Sequence, residues 1–306
     1  MTLGMLRKIL FLLLLFPVLA SAQRSKISSD RPGQGQTPLT VGKHYLQMQL
    51  GQAFGNLNAA QYSAQLSASG QNRQSNLFFR FGLSQKTEIH LGSTLDQFSA
   101  TNIYTGLLPP GSNEFLDAYN EIPSLSANNL QLGLRHNLLS ESRDHALSLG
   151  LIGSYTQRWQ PPHSRFRNGN NLQLGLLASK TIGNRINALG NIGGNWGLAN
   201  QAPELYYLVN FGFDLGKNFG CFFETRNEIL FQGDGGSFSL INGGFTWLLA
   251  PNFQFDLFGG WAQTHQLLPN LGPGRFVYGP ALRENYWFVS GGVSWKIKAL
   301  PSKKAS

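Results

Sequence analysis

From Lys43 almost to the C-terminus the chain repeats one pattern: segments of about ten residues in which apolar and polar side chains alternate with period two. Leu46, Met48, Leu50 and Phe54 oppose Gln47, Gln49 and Gly51; Leu77, Phe79, Phe81 and Leu83 oppose Phe78, Arg80 and Gly82. Leu130, Leu132 and Leu134 oppose Asn129, Gln131 and Arg135, and Leu205, Tyr207, Val209, Phe211 and Phe213 oppose Asn210, Gly212 and Asp214. Only a strand sends successive side chains to opposite faces. The reading gives twelve strands: 43–54, 75–83, 86–96, 128–138, 145–157, 170–180, 185–197, 204–215, 219–232, 237–249, 252–263 and 286–297. In 237–249 the phase slips near Asn242-Gly243-Gly244, which predicts a bulge there. After the second strand, tight turns (Ser84-Gln85-Lys86, 139–144, Ile182-Gly183-Asn184, Gly216-Lys217-Asn218, Ala250-Pro251-Asn252) alternate with longer connections at 97–127, 158–169, 198–203, 233–236 and 264–285, and 55–74 precedes them.

Alternation alone also fits a soluble β-sandwich or a lipocalin-like barrel, and composition separates the cases. Charged residues make up 13% of the chain, against about 25% in soluble domains. In their place stand 25 Asn, 21 Gln, 36 Gly, and 22 Phe, 9 Tyr and 6 Trp. Twelve strands with so few charges would leave a water-facing exterior poorly solvated. A bilayer inverts the demand: the apolar face meets lipid, and the amides face a wet interior. Hydrocarbon offers no backbone partners, so such a sheet must close, and each strand needs about 9–11 residues to cross. Trp159, Tyr155, Trp196, Tyr207, Trp247, Trp261, Trp287 and Trp295 fall near strand ends, where a barrel carries its aromatic girdles. The expected fold is an all-β, antiparallel transmembrane β-barrel of about twelve strands, with short periplasmic turns and longer extracellular loops. A lone Cys221 excludes a disulfide framework or a cysteine-based zinc site.

The N-terminus predicts export. Arg7 and Lys8 precede an apolar run from Ile9 to Leu19, and Ala20-Ser21-Ala22 gives a small-x-small cleavage pattern. Residues 1–22 are therefore read as a signal peptide cut after Ala22, 23–42 as an extended periplasmic leader, 43–298 as the barrel and 299–306 as a polar tail. The bacterial outer membrane is the expected location.

The segment "ISSDRPGQGQTPLTVGKHYLQMQLG" (27–51) resembles the opening of the outer-membrane meta-pathway phenol-degradation barrels, a family often labelled simply as transporters. The resemblance rests on Asp30-Arg31-Pro32, Thr37-Pro38, and Gly42 leading to Gln47 and Gln49. Arg80-Phe81-Gly82-Leu83 followed by Thr87-Glu88-Ile89, then "FFETRNEI" (222–229) and "APNFQFDLFGG" (250–260), keep the family's order. It implies outer-membrane location and movement of small molecules, apolar ones included, with no catalytic residues.

Charges on the predicted inner face are Arg80, Glu88, His90, Asp96, Arg135, Arg185, Asp214, Glu224, Arg226, Glu228 and Asp256. With both signs present they can pair across the lumen, either as structural partners or as a constriction that filters solutes. Glu224, Arg226 and Glu228, on one face of one strand, form the densest group. Arg158, Arg165 and Arg167, interleaved with Trp159 and Phe166, suit lipopolysaccharide phosphate, because guanidinium forks match phosphate oxygens. The six His show no metal-ligand spacing, and no cofactor or nucleic-acid partner is expected. An outer-membrane lipid hydrolase would need a Ser and a His together on the lipid face; no His-x-Ser pair occurs, leaving only cross-strand partners for residues such as His136. The expectation is a non-enzymatic channel or conduit, with the hydrolase and a structural barrel without a pore as alternatives. Expected partners are outer-membrane lipid and lipopolysaccharide, a small solute, and the barrel-assembly machinery during insertion.

Overall fold

The computed structural model describes residues 35–60, 65–105, 118–142, 144–159, 170–198, 203–230, 236–266 and 282–299. They build twelve strands: β1 Tyr45–Ala60, β2 Gln65–Gly82, β3 Thr87–Thr105, β4 Ala118–Leu139, β5 Ser148–Trp159 and β6 Asn171–Ile182, then β7 Ile186–Gly197, β8 Glu204–Asp214, β9 Phe219–Leu230, β10 Gly236–Ala250, β11 Phe253–Gln266 and β12 Leu282–Lys298. Each strand pairs antiparallel with its chain neighbours, and β1 pairs with β12 from Tyr45↔Lys298 to Ala60↔Arg283. The sheet closes on itself, so no edge is left with open backbone groups. An even strand number returns the first and last strands to the same end, that of the tight turns. There Leu83 N–H donates to Thr87 O at 2.9 Å and Leu215 N–H to Phe219 O at 3.0 Å.

The alternation maps onto two surfaces. Outward, Leu50, Phe54, Leu132 and Phe245 are 50, 54, 58 and 62% exposed; inward, Gln47, Arg80, Glu88 and Glu224 are at 0%. An apolar exterior wrapped around a charged, amide-rich interior is stable in hydrocarbon and unstable in water, and the barrel is a membrane-spanning one. Tyr155, Trp159, Trp196, Trp247, Trp261 and Trp287 all lie exposed on this exterior. Near the short-turn end Trp247 stacks on Phe219, with ring centroids 5.4 Å apart and planes at 9°.

Two sequence expectations are corrected. Strands β1–β4 run to between 16 and 22 residues, so much of 55–74 and 97–127 is paired sheet rather than irregular loop. These extensions stand clear of the lipid band and have no reason to carry an apolar face, so they leave no apolar alternation to read. The bulge near Asn242 is absent: Asn242, Gly243 and Gly244 pair in unbroken register with both β9 and β11. The irregularity in β10 falls between Leu248 and Ala250. The apparent slip arose because Leu240, an apolar residue, is buried in the bore at 1% exposure, while Ile241 faces out.

Candidate functional site: a bore crossed by its own chain

Gly42 and His44 adopt left-handed backbone (φ 89° and 65°), and this turns the chain back on itself just before β1. His44 N–H donates to Gly82 O at 2.9 Å. A Cβ on Gly82 would collide with the Gly42 carbonyl, so this position of β2 must be bare for the chain to pass. Sequence reading treats 23–42 as an extended leader; of its described part, 35–42, residues 35–41 lie inside the barrel.

A peptide buried in a bore still needs partners for its backbone polar groups, and inward side chains supply them. Gly35 N–H donates to Glu224 Oε2 at 2.7 Å. Asn191 grips Gln36 from both sides, accepting its N–H at 2.8 Å and donating to its carbonyl at 2.8 Å. Asn137 Nδ2 donates to Pro38 O at 3.2 Å, next to an irregularity in β4 between Asn137 and Leu139 that aims it there. Arg80 Nη2 donates to Leu39 O at 2.9 Å, and Val41 N–H donates to Glu88 Oε2 at 2.8 Å. The ion pair thus plays the part of a neighbouring strand. Pro38 packs on the wall where Gly150 leaves room, its Cα and Cβ each 3.0 Å from where a Cβ would sit.

The predicted charges divide by depth. Arg80 forks onto Glu88 (Nε–Oε1 2.8 Å, Nη2–Oε2 3.0 Å), and Arg135 Nη1 approaches Glu88 Oε1 at 3.4 Å; all three side chains are fully buried. Glu224 lies fully buried, deeper than Arg226. It takes the Gly35 N–H and the amides of Asn210 (3.1 Å) and Asn242 (2.9 Å). Arg226 and Glu228 pair at 2.6 Å nearer the long-loop end, with the guanidinium 5.2 Å over the Tyr206 ring. Asp256 is fully buried on β11. Arg185 and Asp214 are exposed at the short-turn end, so they rim the mouth rather than narrow the bore. His90 is buried with its ring 5.3 Å from that of Phe78. The side chains of Asp96 and Arg158, and Arg165 and Arg167 entirely, lie outside the described residues. His136 Nδ1 meets Thr87 Oγ1 at 2.9 Å, so the cross-strand partner is Thr rather than Ser. Among the described residues no three His, Cys, Asp or Glu gather as a metal site requires.

The buried segment leaves a cavity on either side. One, about 540 Å³, opens toward the long-loop end and includes Gln36, Gln131, Arg226 and Glu228 in its wall. The other, about 620 Å³, opens toward the turns and includes Gly35, Thr37, Leu39, Arg185 and Asp214. Sequence reading missed Asn137, Asn191, Asn210 and Asn242, since neutral amides carry no motif. It also missed an aromatic row on the inner wall, with Phe222, Phe258 and Phe288 spaced 6.0 Å apart and Tyr286 5.8 Å beyond. The one signal for that row was glycine in inward positions across the strand pairs, at Gly55, Gly244 and Gly260.

No family model matches the chain, and no curated protein matches it. Solved structures do. An outer membrane channel from Pseudomonas putida F1 is similar over 87% of this chain and 99% of its own, at 9% identity and a TM-score of 0.53. The translocator domain of the autotransporter NalP from Neisseria meningitidis is similar over 87% and 90%, at 10% identity and a TM-score of 0.48. At these identities the likeness to the Pseudomonas channel is one of fold: a closed, antiparallel β-barrel.

Proposed function

We propose that this protein is a passive channel of the bacterial outer membrane for small solutes, and that residues 35–41 hold its bore shut. The observation that carries the reading is the seating of this segment by Glu224, Asn191, Asn137, Arg80 and Glu88 between two cavities, each of several hundred Å³. A purely structural barrel has no need of open space at both ends of its bore. The likeness to an outer membrane channel supports the reading, as does an exterior suited to lipid. The tight turns then face the periplasm and the long connections the outside.

Conductance in planar bilayers tests it. Wild-type protein is expected to give small or intermittent steps. Glu224→Ala with Asn191→Ala, which removes the partners of Gly35 and Gln36, is expected to give larger and steadier ones. Silence from both proteins, each verified as folded, would leave a structural barrel; silence with phospholipid cleavage in a thin-layer assay would point to the hydrolase.

A further inference from the structure

We infer that the cavity on the long-loop side is a binding site for an uncharged polyhydroxylated ligand, a sugar ring or short oligosaccharide. The inference rests on the channel reading for its role in transport, but not for the binding itself.

One wall of this cavity is a platform of two rings. Tyr286 and Phe288 stand two residues apart on β12, both facing in, with ring planes within 18° of parallel and centroids 5.8 Å apart. Inner-wall glycines seat them. A Cβ on Gly55 of β1 would strike the Tyr286 ring, and one on Gly260 of β11 would lie 2.9 Å from Phe288 Cε1. With no side chain beneath, the rings lie back against the wall and leave a face toward the cavity. Phe258 stands at 84° to Phe288 and closes one end of the platform. The negative face of an aromatic ring attracts the polarised C–H groups of a pyranose.

The facing wall is a belt of amides and hydroxyls from β2 to β7, tied into fixed positions. Gln131 Nε2 donates to Ser154 Oγ at 2.9 Å, which donates to Gln173 Oε1 at 3.1 Å. Thr94 Oγ1 donates to Asn76 Oδ1 at 3.0 Å. Each amide offers two donors and two acceptor lone pairs, the complement of a hydroxyl-rich ligand. An aromatic hydrocarbon would satisfy the platform but strip water from this belt without replacing its hydrogen bonds, which opposes binding. An anionic ligand finds Arg226 already paired with Glu228 at 2.6 Å and meets a further carboxylate, Glu204, in the same wall. A flat ring with polar edges fits both walls.

Calorimetric titration of the detergent-solubilised protein with maltotriose, cellotriose and raffinose, and with toluene as comparator, tests this. Saturable binding of at least one sugar is expected, preserved in Tyr286→Phe and lost in Tyr286→Leu and Phe288→Ala. Gln131→Ala, on the opposite wall, supplies a second loss should Phe288→Ala not fold. Toluene binding without sugar binding, no binding of any sugar, or sugar binding indifferent to these variants would each overturn the proposal. Bilayer recordings keep the two readings apart. A barrel that conducts but binds no sugar refutes only this inference, and one that binds sugar but never conducts refutes only the channel.

Discussion

At the scale of single residues, the short motifs in the sequence turn out to be parts of one device. Thr37-Pro38, Gly42, Arg80, Gly82 and Glu88 are scattered along the chain, yet they form the buried segment, its hinge and one of its clamps. Their types were legible; their convergence was not, because alternation tells which face a residue occupies but not what fills the bore. Glu224 shows the limit. Its spacing suggested a cluster with Arg226 and Glu228, but its distance from Gly35 in sequence hid the backbone N–H that it accepts. Two predictions belong here. Glu88→Ala leaves Arg80 and Arg135 buried without their shared carboxylate, a change that costs about 3–5 kcal/mol. Urea unfolding of the barrel from lipid vesicles should show the loss, whereas a pair of solvent-screened charges would lose little. Gly82→Val puts a side chain where the Gly42 carbonyl lies and should expel residues 35–41. A cysteine placed at Thr37, in a Cys221→Ser background, would then react readily with a bulky maleimide that reaches it slowly in the wild-type barrel.

At the scale of elements, strand number and order were legible while strand length was not. Apolar side chains mark only the stretch that touches lipid, and the paired backbone of β1–β4 runs past it. Asn58↔Ser69 and Ala59↔Ala68 continue the β1–β2 ladder beyond the last outward apolar pair, and β2 and β3 remain in register as far as Gln65↔Thr105. Such a hairpin extension is held by its own ladder and by those to β12 and β3, and adds nothing to the lipid band. Replacing residues 58–69 with Asn-Gly, a two-residue turn matched to strand twist, joins Leu57 to its partner Gly70 without shifting register. The shortened protein should still insert. Its midpoint in urea should move by less than that of Glu88→Ala, as measured by the heat-dependent mobility of the folded barrel on gels.

At the scale of the whole molecule, an inside-out distribution of polarity makes neighbouring positions on one strand answer oppositely to the same substitution. Leu132 of β4 faces out and is 58% exposed, while Gln131 beside it faces the bore and bonds to Ser154. An arginine at 132 would have to sit in hydrocarbon or bend to an interface. Deep in the lipid band that costs about 2–4 kcal/mol. An arginine at 131 enters a wet, amide-lined cavity and keeps its hydration. Leu132→Arg should therefore lower the folding free energy in vesicles by that amount, and Gln131→Arg should lower it by much less while altering ion selectivity in bilayer recordings. A soluble sandwich with the same strands would give the reverse order, because there the leucine stripe is the core and the amide stripe the surface. Equal penalties at both positions would show that the two faces are not solvated differently, and the outward apolar belt would then need a partner other than lipid.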